Sequence, residues 1–283
     1  MSDRAIARLS LDQARALWEN EDVFSLGKLA HAARLALHPE PVVTYIVDRN
    51  INYTNICACG CRFCAFFKAP GQPGGYVLSP EELAAKVAET VELGGWQILL
   101  QGGMHPELRL GFYIDMLSTL RRQFPSVAVH GFSPPEIVFL AEMEGLSIAE
   151  VIAELKAAGL ASLPGGGAEI LSDPIRGHVS PNKCPADAWI GVMDEAHKQG
   201  LRSTATMVIG LGETIEHRLE HLLRIRDLQD KTGGFTAFIP WTFQPGNTAL
   251  AVPETSSWEY LRTLALSRLF LDNVPNIQAS WVT

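Results

Sequence analysis

The chain has 283 residues, 47% of them hydrophobic and 19% charged, which suits one large globular unit with a sizeable core. A formal charge of −8 without any lysine or arginine run excludes an electrostatic nucleic-acid surface and points to a small-molecule partner. The amino terminus MSDRAIARLSLDQARALWENED is charged throughout and no later run reaches the ~18 apolar residues of a membrane span, so neither signal peptide nor membrane partner is expected and the location is cytoplasmic.

Residues 1–40 read as an amino-terminal helical segment and residues 41–283 as one barrel domain. Buried strands are expected at 42–48 (VVTYIVD), 97–101, 127–131, 162–165, 204–210, 236–241 and 277–281. Between them lie PEELAAKVAETVELGG, LGFYIDMLSTLRRQFP and DAWIGVMDEAHKQG, with apolar residues at i, i+3, i+4 spacing and several closing on glycine. Strand and helix in alternation imply an α/β fold with a parallel sheet. At ~250 residues the natural form is a TIM-type (β/α) barrel, whose chemistry sits at the carboxyl ends of the strands.

On the loop after the first strand, NYTNICACGCRFCAFF sets Cys57, Cys61 and Cys64 in a C-x3-C-x2-C array. Three thiolates on so short a loop can hold three corners of a 4Fe-4S cluster and leave the fourth iron for the amino and carboxylate groups of S-adenosylmethionine (SAM). A zinc knuckle is the competing reading, but zinc loops come as two separated C-x2-C pairs and a second pair is missing. Cys59 competes for a corner, with a small apolar loop residue as its ordinary role; Cys184 reads as a partly buried cysteine opening a helix. Five cysteines, four on one loop, form no disulfide framework and fit a reducing compartment.

Polar and glycine residues collect at the expected strand ends: Gln101, Gly102 and Gly103, then Ser133, Gly165 through Glu169, Thr206 and Gln244. Glycines there let backbone approach a ligand, including the methionine moiety of SAM. Glu169 either bonds the SAM amino group or ribose, or caps the next helix. Phe63, between two cysteines, is expected to pack against the cofactors, with core packing as the alternative; for Phe66 and Phe67 both roles stay open. Arg176 reads as an exposed helix arginine, with the SAM carboxylate as its alternative partner. His105, His130 and His178 are candidate bases, yet no G-x-S-x-G or H-E-x-x-H accompanies them, and GLGE at 210–213 lacks a Walker lysine and reads as a strand-to-helix turn.

With VDRNINYTN, ILLQGGMHPEL, HGFSPPEI, SLPGGGAEIL, TATMVIGLGET and FIPWTFQPGNT in view, the chain resembles the radical SAM superfamily. Within it, the resemblance is to the futalosine-pathway enzymes of menaquinone biosynthesis and the deazaflavin-forming synthases. It implies a radical SAM barrel with a 4Fe-4S cluster, SAM and an electron donor such as flavodoxin or ferredoxin. The implied reaction is oxidative cyclisation of dehypoxanthine futalosine, in which a 5′-deoxyadenosyl radical abstracts hydrogen from the sugar C4′ and the carbon radical adds to the aromatic ring. Glu136, Glu169, Tyr53 and His105 are candidates to take the proton then lost, with Gln244, Asn247 and Thr206 as donors to the substrate. An aminofutalosine synthase-type transferase and an inactive cluster-binding protein are the alternatives. Members of the family continue past ASWVT, so a barrel without its last strand, with an exposed edge, is expected.

Overall fold

The structure, a computed structural model, describes residues 8–280. Helix starts are written locally: Ser10 with Gln13, Ser79 with Glu82 and Ser147 with Glu150 close reciprocal capping boxes on α1 (Leu11–Asn20), α3 (Pro80–Glu92) and α6 (Ile148–Ala158). Asp22 caps α2 (Val23–Leu37) from one side only, its carboxylate accepting from Ser25 N–H. The remaining helices are α4 (Leu110–Gln123), α5 (Pro134–Glu144), α7 (Asp173–Val179), α8 (Ala186–Lys198), α9 (Ile215–Thr232) and α10 (Ser257–Phe270).

Seven strands form one parallel sheet in chain order: β1 (Asp48–Asn52), β2 (Gln97–Gln101), β3 (Ala128–Gly131), β4 (Leu160–Leu163), β5 (Arg202–Ile209), β6 (Phe235–Thr242) and β7 (Asn276–Ile277). Sequential order with a helical crossover between successive strands winds the sheet into a partial barrel, the α/β architecture expected from the alternation. The strands contribute Ile98, Leu100, Ala205, Met207 and Phe238 to the core, and the helices Val87, Leu117, Leu155, Val192 and Leu222, all fully buried. Helices α1 and α2 lie against α9 and α10, where Leu26 and Ala33 form a separate apolar cluster with Ala265 and Leu269. Among the described residues no helix is long and apolar enough to cross a membrane.

Most strand expectations shift by one or two residues, but the first is misplaced. Residues 42–47 are not in a strand and stand exposed, Val43 by 88% and Tyr45 by 85%; pairing starts at Asp48 opposite Gln97. Before Gln97 the neighbouring chain turns through Gly94 and Gly95, so no backbone ladder remains for residues 42–47 to join. The last strand holds only Asn276 and Ile277; Trp281, at the end of the expected run, lies outside the described residues.

Candidate functional site

The cysteine loop leaves β1 at its carboxyl end and is stitched to the loop after β2, the end of α7 and the loop after β6. Ala58 N–H donates to Met104 O at 2.9 Å, Arg62 N–H to Val179 O at 2.9 Å, and Ala249 N–H to Arg62 O at 2.9 Å. Asn182 Nδ2 reaches Cys59 O at 2.9 Å. Gly60 turns the loop at φ +64, and Gly103 permits its approach to β2, since a Cβ there would stand 2.1 Å from Ile56 O and 2.8 Å from Cys57 Cβ.

Cys57, Cys61 and Cys64 are partly exposed, whereas Cys59 is buried. The Cys57 sulfur accepts from Met104 N–H at 3.3 Å and Cys59 N–H at 3.4 Å. Cys59 Sγ lies 3.3 Å from Cys61 Sγ. That thiol contact, and next the Lys183 charge, pull the Cys61 pKa below its ordinary value despite burial; the same contact pushes Cys59 up. Among the described residues no three His, Cys, Asp or Glu side chains converge as ligands of one ion. An iron-sulfur cluster asks for no such convergence, because each thiolate takes its own iron.

Facing this loop, the glycine turn after β4 is fixed from both sides. Thr206 Oγ1–H donates to Gly165 O at 2.6 Å, and Gly165 N–H donates to Thr204 Oγ1 at 3.1 Å. A Cβ on Gly166 would stand 2.3 Å from Gln101 Nε2 and 3.4 Å from Ser133 Cβ, so four expected site residues share one neighbourhood. Trp189 Nε1 donates to Gly166 O at 3.1 Å, tying the turn to the core. Arg176 is not the exposed arginine expected: it is 3% exposed, and its guanidinium is spent on the carbonyls of Gly167, Ala168 and Cys184.

Glu169 follows in a left-handed conformation, φ 42, and is 4% exposed. Its Oε1 accepts from Lys183 Nζ at 2.6 Å, while Arg176 stands 3.6 Å from Oε2, which has no hydrogen-bond partner. Burial opposes the Lys183 charge, but Glu169 and then Cys61 outweigh it and hold the ammonium above its ordinary pKa. The same ammonium lies over the Phe63 ring, 5.0 Å from its centroid. A buried carboxylate with one free oxygen, beside three part-exposed thiols and a glycine turn, fits the amino or hydroxyl groups of SAM together with a three-thiolate cluster. Lys183 and Asn182 escaped the sequence reading; a lone SPNK between two helices carries no signal except its proximity to Cys184.

Tyr53 and Glu136 do meet, but each meets the other: Tyr53 Oη–H donates to Glu136 Oε1 at 2.6 Å. Burial raises the pKa of both, against the pull of Ser133 and Tyr53 on the Glu136 carboxylate. His105 is buried, and its Nδ1 accepts from Glu107 N–H at 3.1 Å. His130 Nδ1 pairs with Ser162 Oγ at 2.7 Å, and desolvation lowers its pKa to about 4, a neutral scaffold imidazole. His178 lies beside Arg62 at the rim. Gln244 Nε2 donates to Thr242 Oγ1 at 3.0 Å, Asn247 has φ 59, and Phe66 is exposed. Glu213 of GLGE accepts from the amides of Gly210 and Leu211 and from Arg218, the turn expected there. A cavity of about 690 Å³ between α5, α6 and α8 shares no lining residue with this site.

The Radical SAM superfamily model matches residues 51–225, and the CofH/MqnC C-terminal region matches residues 232–283. A cyclic dehypoxanthine futalosine synthase of Halalkalibacterium halodurans is 48% identical over 98% of this chain and 75% of that protein. One from Streptomyces coelicolor is 42% identical over 99% of this chain and 72% of that protein. Among solved structures, methylornithine synthase superposes with a TM-score of 0.76 at 17% identity, over 96% of this chain and 77% of that one, a likeness of fold.

Proposed function

The chain belongs to the radical SAM superfamily, and we propose that within it the protein cyclises dehypoxanthine futalosine oxidatively to cyclic dehypoxanthine futalosine, a step of menaquinone biosynthesis. The observation that carries this is the 48% identity to a synthase of that name over nearly the whole chain, joined to a three-thiol loop that faces a half-satisfied buried carboxylate. Held by Cys57, Cys61 and Cys64, a 4Fe-4S cluster would supply the one-electron reduction of SAM on which the radical chemistry depends.

The chain's own residues bind and shield. Cys57, Cys61 and Cys64 hold the cluster. Gly102 and Gly103 receive the methionine moiety; their amides are committed to Glu136 and to Thr54 O, so their carbonyls are what they offer, to an ammonium. Glu169 Oε2 takes the SAM amino or ribose hydroxyl, with Lys183 fixing the other oxygen. Gln101, Ser133 and Thr206 line the same turn, and Phe63 excludes water beside Lys183. Gln244 and Asn247 address the substrate's carboxylate and hydroxyls, whereas the Thr206 hydroxyl hydrogen is committed to Gly165 O and leaves only its oxygen to accept from a substrate hydroxyl. Of the four residues named for the lost proton, Glu169 is committed to Lys183 and SAM, Tyr53 and Glu136 are engaged with each other, and His105 keeps its Nδ1 lone pair engaged only by an amide.

The chain divides into an amino-terminal segment, residues 1–40, whose described part carries α1 and α2 against α9 and α10, and a barrel domain, residues 41–283, described as far as residue 280. The site's dependence on reduced iron and free thiols suits the cytoplasm, with a flavodoxin or ferredoxin as electron donor. The test is anaerobic: reduced, reconstituted protein with SAM and dehypoxanthine futalosine yields 5′-deoxyadenosine and cyclised product in equal amounts. Adenosyl incorporated into product would assign a transferase of the aminofutalosine synthase type instead, and tightly bound zinc without a cluster signal would refute the radical reading.

A further inference from the structure

Glu136 is the N3 residue of a capping box, as are Gln13, Glu82 and Glu150, but those three side chains lie exposed at helix starts whereas Glu136 is 5% exposed. Its carboxylate collects the ends of three strands. Oε2 accepts from Ser133 N–H at 2.8 Å and Ser133 Oγ–H at 2.5 Å, beyond β3. Oε1 accepts from Tyr53 Oη–H at 2.6 Å, beyond β1, and from Gly102 N–H at 3.1 Å, beyond β2. The Tyr53 ring presses the same glycine from its other side, for a Cβ on Gly102 would stand 2.4 Å from it. Tyr53 is itself held edge-on by Tyr113, with centroids 5.6 Å apart, and packed against Phe132. A turn whose amide is locked to a buried anion, and whose face is locked to a ring, has one orientation for its carbonyls.

We infer that Glu136 is a positioning residue rather than the proton acceptor: through Gly102 it fixes the Gly102–Gly103 carbonyls that receive the SAM ammonium. The inference rests on the SAM site proposed above. Four donors already aim at the two oxygens, which leaves no lone pair turned toward a substrate. Glu136→Gln cannot reproduce this, because either amide orientation turns an NH2 group onto the Ser133 donors or onto Tyr53 and Gly102.

The experiment titrates SAM into reduced, cluster-loaded wild type, Glu136→Gln and Tyr53→Phe, following the cluster's electron paramagnetic resonance spectrum, with iron content and turnover measured on the same samples. Glu136→Gln should raise the Kd for SAM about tenfold or more at unchanged iron content, the cost of one charge-assisted hydrogen bond, while kcat at saturating SAM falls by a smaller factor. Tyr53→Phe keeps the carboxylate and should raise the Kd less. An unchanged Kd with kcat abolished would make Glu136 the base and overturn the inference. If Glu136→Gln fails to fold, an unchanged Kd in Tyr53→Phe overturns it equally. No spectral response to SAM in the wild type would instead refute the proposed function.

Discussion

Replacing Lys183 by methionine tests whether the charge balance beneath the glycine turn is as described. The ammonium stands 2.6 Å from Glu169 Oε1, with side chains 14% and 4% exposed, so the variant leaves a buried carboxylate without its principal counter-charge. Such a loss costs about 3–5 kcal/mol. Arg176 remains 3.6 Å from the other oxygen, though its guanidinium is shared among three carbonyls, which places the expected cost at the lower end, about 3 kcal/mol. Methionine suits the contact with Phe63, so little of that cost comes from packing. The assay is urea unfolding of the cluster-free protein at neutral pH, on Lys183→Met, Glu169→Gln and the double variant. Neutralising the carboxylate in the double variant should recover about 2 kcal/mol relative to Lys183→Met alone, since the stranded charge is gone. A single variant within about 1 kcal/mol of wild type, or a double variant with no recovery, would show that the pair does not carry this energy.

Cys61→Ala should abolish the reduced-cluster signal and lower bound iron, whereas Cys59→Ala, which removes a buried thiol only, should retain both. Gly103→Ala should destabilise by about 2 kcal/mol and cut iron loading, because the added Cβ meets the carbonyl of Ile56 and pushes on Cys57; normal loading would contradict that packing. Burial lowers the pKa of His130 to about 4 and of His221 to about 3, from 6.5. The unfolded chain therefore binds protons that the native protein refuses, and the stability each contributes is complete above 6.5 and is lost as pH falls toward those values. At pH 5 each should cost about 2 kcal/mol, a decline from pH 7 that His130→Asn reduces in urea titrations. Glu136, whose carboxyl burial raises, works in the opposite sense at lower pH.

Sequence alone determined the features written within a few residues of one another. The spacing of Cys57, Cys61 and Cys64 needs only a short loop, the capping boxes need four residues, and the strand-helix alternation dictates a parallel sheet with glycines at its carboxyl edge. The apolar run at 42–47 misled for the same reason: its pattern is local, but a strand needs a neighbour, and β2 begins too late to supply one. Only the tertiary structure decided which charges meet. Tyr53 and Glu136 lie 83 residues apart and come together because β1 and β3 flank β2. Arg176 is turned inward onto backbone carbonyls, and Lys183 is drawn between Glu169 and the cysteine loop, because a charge sealed from water must find its opposite or an acceptor in the fold, and the sheet order, not the spacing along the chain, sets what lies within reach.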